Sequence, residues 1–133
     1  MQKFEVHACT DITGFGFIGH TQQIAQNSQV GIKISSASVP FFAEAKDFAN
    51  KGMCPGGLQR NREFYSSMVE FAAEVADYMK DILFDPQTSG GLLIALAKKA
   101  AEPLLDKLHK AGLRDSAIIG EVISKPSGKL LIE

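Results

Sequence analysis

Phe4-Glu5-Val6-His7-Ala8-Cys9, running into Thr10-Asp11-Ile12-Thr13-Gly14-Phe15-Gly16-Phe17-Ile18-Gly19-His20, is the stretch on which the architecture turns. Apolar and polar side chains alternate loosely from Phe4 to Cys9, the two-residue period of a strand, and the run enters a Thr-Asp-x-Thr-Gly turn near Asp11. Beyond the turn, Phe17, Ile18, Thr21, Ile24 and Ala25 recur at helical spacing. Thr13 is placed to cap the exposed N–H groups of that helix, and Gln29 to Gly31 close it.

Working outward, Val30 to Ser36 reads as a second strand. Pro40 introduces a helix with Phe42, Ala45, Phe48 and Ala49 on one face, and Gly52 stops it. From Gly52 to Asn61 the sequence has no usable period, and Pro55, Gly56 and Gly57 mark a loop. The spacing of Val75, Met79, Ile82 and Leu83 predicts a helix over 73–83. Leu92 to Ala97, short and wholly apolar, reads as a strand buried on both faces. Lys98 to Ala111 reads as a helix with an apolar stripe of Leu104, Leu105, Leu108 and Ala111, ended by Gly112 in a left-handed cap position. Ala117 to Ile123 and Lys129 to Ile132 read as strands joined by the turn at Lys125-Pro126-Ser127-Gly128. The sum is an α+β fold, a mixed sheet of about four or more strands with packed helices.

With 133 residues and 45% hydrophobic content, the chain suits one domain with a real core. A net charge of −1 with dispersed Lys and Arg excludes the basic stripe of a nucleic-acid binder. The longest apolar run, Leu92 to Ala97, falls far short of the roughly 20 residues that span a bilayer, so no membrane partner is expected. Without the layout of a secretory signal at the N-terminus, the cytoplasm is the expected compartment. Cys9 and Cys54 suggest no disulfide framework, and His7, His20 and His109 lack zinc-ligand spacing.

Gly14, Gly16 and Gly19 spell GxGxxG between a strand and a helix. The acidic residue that a dinucleotide site needs about 20 positions on is replaced by Ser35, Ser36, Ala37 and Ser38, so the turn reads as one that brings a helix N-terminus near some other anion. Asp11, flanked by Thr10 and Thr13, has two readings. It is a turn former or helix cap, or it is a hard oxygen ligand for Mg²⁺, which needs one or two protein carboxylates when a nucleotide completes the shell. Asp85-Pro86-Gln87-Thr88-Ser89-Gly90-Gly91 offers hydroxyls and close-approach glycines, or is a tight connector. Pro55-Gly56-Gly57 with Gln59, Arg60 and Asn61 is a second such loop. No complete catalytic set is present by spacing.

Taken together, Ala8 to His20, Pro55-Gly56-Gly57 with Asn61, and Asp85 to Leu93 (DPQTSGGLL) resemble selenophosphate synthetase, also called selenide, water dikinase, in the order and spacing of its C-terminal domain. Ile119-Gly120-Glu121-Val122 is similar to that domain's closing strand. The resemblance implies a fold like that of aminoimidazole ribonucleotide synthetase C-terminal domains. It implies that residues 1–133 are the C-terminal half of a two-domain enzyme making selenophosphate from ATP, selenide and water, with AMP and phosphate released. It further implies that Asp11 is a Mg²⁺ ligand and that Thr10, Thr13, Gly14, Gly16, Gly56, Gly57, Asn61, Thr88, Ser89, Gly90 and Gly91 belong to loops near an anion or nucleotide. The remaining carboxylates, the lysine and the reactive cysteine or selenocysteine would belong to an N-terminal ATP-binding domain absent here, so no catalytic residue lies in this chain and the chain alone is expected to be inactive. A face that packs on that domain is expected to favour a homodimer. Two alternatives stay open: a kinase or synthetase of the same plan acting on a carbon substrate, and a free-standing non-catalytic module of the same fold.

Overall fold

The computed structural model describes residues 4–133. It is an α+β fold with two sheets. The larger has strand order β3-β6-β2-β5, built from β2 (Gly31–Ile34), β3 (Val69–Phe71), β5 (Gly120–Ile123) and β6 (Leu130–Ile132). In it β6 is parallel to β2 and to β3, while β5 is antiparallel to β2. The smaller pairs β1 (Val6–Asp11) with β4 (Leu92–Leu96), antiparallel. Helices α1 (Gly16–Asn27), α2 (Ala43–Asn50), α3 (Gly56–Tyr65), α4 (Asp77–Phe84) and α5 (Lys98–Lys110) complete the chain.

The core lies between the larger sheet and the layer containing α1 and α4. Alternation on the strands sends Ile32, Ile34, Leu130, Ile132 and Val69 inward, where they meet Phe17, Ile18 and Ala25 of α1 and Met79, Leu83 and Phe84 of α4. The opposite face carries the intervening residues, including Lys33, which bonds Glu133 at the surface. Ile18 and Leu83 are fully buried, and each such side chain contributes about 1.5–3 kcal/mol.

The strand β1 and helix α1 form as their periods indicate. The 73–83 helix starts later, at Asp77, although Val75 is buried as its spacing required. Four other expectations are corrected. The Gly52–Asn61 stretch is not all loop, because α3 begins at Gly56 behind Pro55, whose fixed φ suits a helix entry. The last two strands are not a hairpin, because β2 lies between them and pairs with both. Strand β4 is not buried on both faces, since among the described residues it pairs only with β1, and Leu92 is 58% exposed. The helix after Pro40 does not include Phe42, because α2 begins at Ala43 and Phe42, 86% exposed, stands just before it. Strand β3 had no legible period in three residues. Helix α5 ends as expected, with Gly112 at φ +93°, Gly112 N–H donating to His109 O and Leu113 N–H to Leu108 O.

Candidate functional site

Three stretches far apart in sequence meet at the end of the β1–β4 ribbon. The Asp85–Gly91 loop runs beside the turn after β1: Gly90 N–H donates to Ile12 O at 3.0 Å, Ile12 N–H to Gly91 O at 2.9 Å and Gln87 N–H to Thr13 O at 3.1 Å. A side chain at Gly90 would lie 2.6 Å from Ile12 O, so only glycine admits this contact. Gly16 opens α1 at φ +70°, and a Cβ there would stand 2.8 Å from Phe84 O and 2.9 Å from Asp85 O. From α3, the buried Asn61 donates through Nδ2 to Gly14 O at 3.1 Å and to Phe84 O at 3.0 Å. Gly57 packs against Pro86.

These contacts divide the residues singled out from the sequence. Gly16, Gly57, Gly90 and Asn61 face inward and hold the stretches together. Asp11, Gly14, Thr88, Ser89 and Gly91 are exposed, with Phe15 at 51% and Leu92 beside them. A Cβ at Gly14 or Gly91 would meet no atom within 4 Å, so the backbone there is open to a ligand. Gly56, also exposed, begins α3. Thr10 is half-buried and its hydroxyl donates to Asp11 O at 3.2 Å.

Asp11 is the last residue of β1, on the exposed side of a strand whose burial alternates. Among the described residues its carboxylate has no hydrogen-bond or ion-pair partner, and it caps no helix. Thr13 is not the cap either. Its hydroxyl is 3.0 Å from Nε2 of the buried His20, which also lies against the Phe15 ring. His20 is therefore a satisfied residue of the helix flank. Helix α1 has no side-chain cap; its Gly16 N–H donates to Thr13 O at 3.0 Å, and its first turn, Gly16 to Gly19, is buried, with Gly16 against the end of α4. The rim thus carries the Asp11 carboxylate, without a partner among the described residues, and the exposed hydroxyls of Thr88 and Ser89. An exposed carboxylate of this kind is the hard oxygen donor that a divalent cation takes.

Behind this rim, a groove of about 250 Å³ runs between α2 and α4, lined by Cys54, Leu58, Asp81 and Asp85 among others. Burial raises the carboxyl pKa of Asp85 above its ordinary value. Burial also raises the Cys54 thiol, reinforced by the charges of Asp81 and Asp85 and opposed by Arg62. No group of three or more His, Cys, Asp or Glu side chains converges among the described residues. Asp11 is thus a single exposed carboxylate, with no second acidic, His or Cys side chain grouped around it among the described residues.

The inward role of Asn61 was missed from the sequence. Its signal is spacing: Leu58, Asn61 and Tyr65 form the buried stripe of α3, and a polar residue in such a stripe must find buried partners.

The family model described as AIR synthase related protein, C-terminal domain, matches residues 1–133. A selenide, water dikinase of Pelobacter propionicus is 47% identical over 133 residues, 100% of this chain and 38% of its own length. Selenide, water dikinase 2 of Peptoclostridium acidaminophilum is 41% identical over 132 residues, 99% of this chain and 38% of its own. The chain thus spans well under half the length of these curated relatives. Among solved structures, hydrogenase maturation protein HypE in complex with ATP superposes with a TM-score of 0.60 over 96% of this chain and 32% of that one. At 18% identity that is a likeness of fold.

Proposed function

The chain belongs to the AIR synthase related C-terminal domain family, and from that premise we propose that it is the C-terminal part of a selenophosphate synthetase. The whole protein would convert ATP, selenide and water to selenophosphate, AMP and phosphate, and its product would supply selenocysteine and selenouridine synthesis. The observation that carries this reading is the meeting of three separate stretches around an unpaired, exposed Asp11, in a chain similar along its whole length to proteins named selenide, water dikinase.

In this proposal Asp11 supplies one oxygen ligand to Mg²⁺ at the edge of a nucleotide site. The bound cation would neutralise phosphate charge, the main requirement of phosphoryl transfer. The chain's own contribution is positional. The open backbone at Gly14 and Gly91 and the exposed hydroxyls of Thr88 and Ser89 would be the groups that approach phosphate oxygens without a Lys or Arg. Phe15 and Leu92, exposed beside Asp11, support a covering N-terminal domain that carries the remaining ligands and the reactive cysteine or selenocysteine. A cytoplasmic homodimer belongs to the same proposal. No helix among the described residues is long and apolar enough to cross a membrane.

The test is chemical. The full-length protein carrying this domain is expected to form AMP and phosphate from ATP only when selenide is added, and the 133-residue chain alone to turn over no ATP. ATP consumption that follows a carbon substrate and ignores selenide refutes the assignment.

A further inference from the structure

We infer that Asn61 is a positioning residue, whose side chain sets the Asp11–Phe15 turn against the Asp85–Gly91 loop and so fixes where the Asp11 carboxylate stands. The inference rests on the functional reading above and adds to it a residue that touches neither metal nor nucleotide.

Asn61 sits in the middle of α3 with 8% of its surface exposed. A primary amide has two hydrogens, and both are used: one goes to Gly14 O, in the turn after β1, the other to Phe84 O, the last residue of α4. Those carbonyls belong to segments about 70 residues apart in sequence, and a Cβ on Gly16 would nearly touch Phe84 O, so the segments are already at closest approach. A single side chain therefore holds both. Few side chains do this. Asp and Leu lack the donors, Ser has one, and Gln is a methylene longer in a packed site. The direction of the bonds matters as well. Drawing the Gly14 carbonyl inward toward α3 leaves the exposed side of that peptide clear of its oxygen, which would otherwise repel a phosphate. Through the Gly90–Ile12 and Gln87–Thr13 bonds the same constraint passes to both loops that flank Asp11.

The experiment uses the full-length protein. Asn61→Ala is expected to raise the Mg²⁺ concentration for half-maximal selenide-dependent AMP formation roughly tenfold, with much of the rate recovered at high Mg²⁺, because a small displacement of a ligand costs affinity and orientation together. A structural readout accompanies it: hydrogen exchange at the Gln87 and Gly90 amides is expected to accelerate roughly tenfold, while the amides of β6 are unchanged. Leu104→Ala, which empties a buried position on α5 away from the turn, is the control for lost stability and is expected to leave the Mg²⁺ requirement alone. Should Asn61→Ala fail to fold, Asn61→Asp keeps the shape and can donate one hydrogen only when protonated, so its Mg²⁺ requirement is expected to worsen as pH rises. An unchanged Mg²⁺ requirement with accelerated exchange overturns the positioning role while leaving the contacts real. Equal shifts in Asn61→Ala and Leu104→Ala overturn it too, as a general stability effect. If the unsubstituted protein makes no AMP from selenide, the functional reading fails first and takes this inference with it, whatever the exchange data say.

Discussion

Gly14 and Gly16 stand two residues apart in one glycine-rich motif, and the structure predicts opposite consequences for the same substitution. Gly16→Ala meets two penalties. The residue is at φ +70°, which costs a non-glycine roughly 1–2 kcal/mol. The new methyl would also lie 2.8 Å from Phe84 O and 2.9 Å from Asp85 O. Both oxygens are main-chain atoms at the end of α4, next to the buried Phe84 ring, so relief requires moving backbone, at about 1–3 kcal/mol. Together the loss is about 2–5 kcal/mol, a large part of the roughly 5–15 kcal/mol that holds a typical domain folded. For a chain of this length it lowers the melting temperature by roughly 8–20 °C. Gly14→Ala meets no atom within 4 Å and no positive φ, so its stability should change by less than about 0.5 kcal/mol. Urea unfolding of the two variants beside the parent chain measures both. If Gly16→Ala unfolds within 0.5 kcal/mol of the parent, on the order of a neutral surface change, or if Gly14→Ala is the more damaging, the assignment of one glycine to packing and the other to the open rim is wrong.

Further substitutions probe the rim and the core. Asp11→Asn should leave the melting temperature unchanged, since the carboxylate has no partner among the described residues, yet weaken the Mg²⁺ dependence of the full-length reaction; unaltered Mg²⁺ kinetics would remove Asp11 from the site. Asp85→Asn tests the half-buried carboxyl. Its folded pKa is raised by burial, so its contribution favours the fold below the ordinary value of 3.8 and is lost as pH climbs through the higher folded value. The stability of Asp85→Asn relative to the parent should therefore increase from about pH 4 upward and then level off, and a difference that is flat or falls with pH contradicts it. Leu83→Ala, at a fully buried position on α4, should cost about 2–5 kcal/mol in the same urea assay. A loss below about 1 kcal/mol would mean that the cavity collapses or that the helix layer packs elsewhere.

Local physics in the sequence was enough for β1, the turn at Asp11 and helix α1, because alternation, a glycine turn and a 3.6-residue period each act over a few neighbours. The same holds for the Gly112 cap and for Val75, Met79 and Leu83 as core. The motifs around Asp11, Gly57 and Asp85 come together in space, but residue type alone did not say which way each residue faces. That depended on contacts between segments tens of residues apart. Helix α3 was hidden by two glycines and a proline, poor helix formers that are tolerated in a first turn where the helix packs on Pro86 and the end of α4. Asn61 consequently read as a loop residue on an open surface instead of the buried link it is. Likewise the insertion of β2 between β5 and β6 has no signature in the turn that joins them, because pairing partners are chosen by which apolar faces can share one core. What belonged to the sequence was most of the strands and helices, α3 and β3 excepted, and the positions of the glycines. What only the tertiary structure decided was which glycines are filled by a neighbouring backbone and which remain open, since that is a question of distance between atoms the chain order does not bring together.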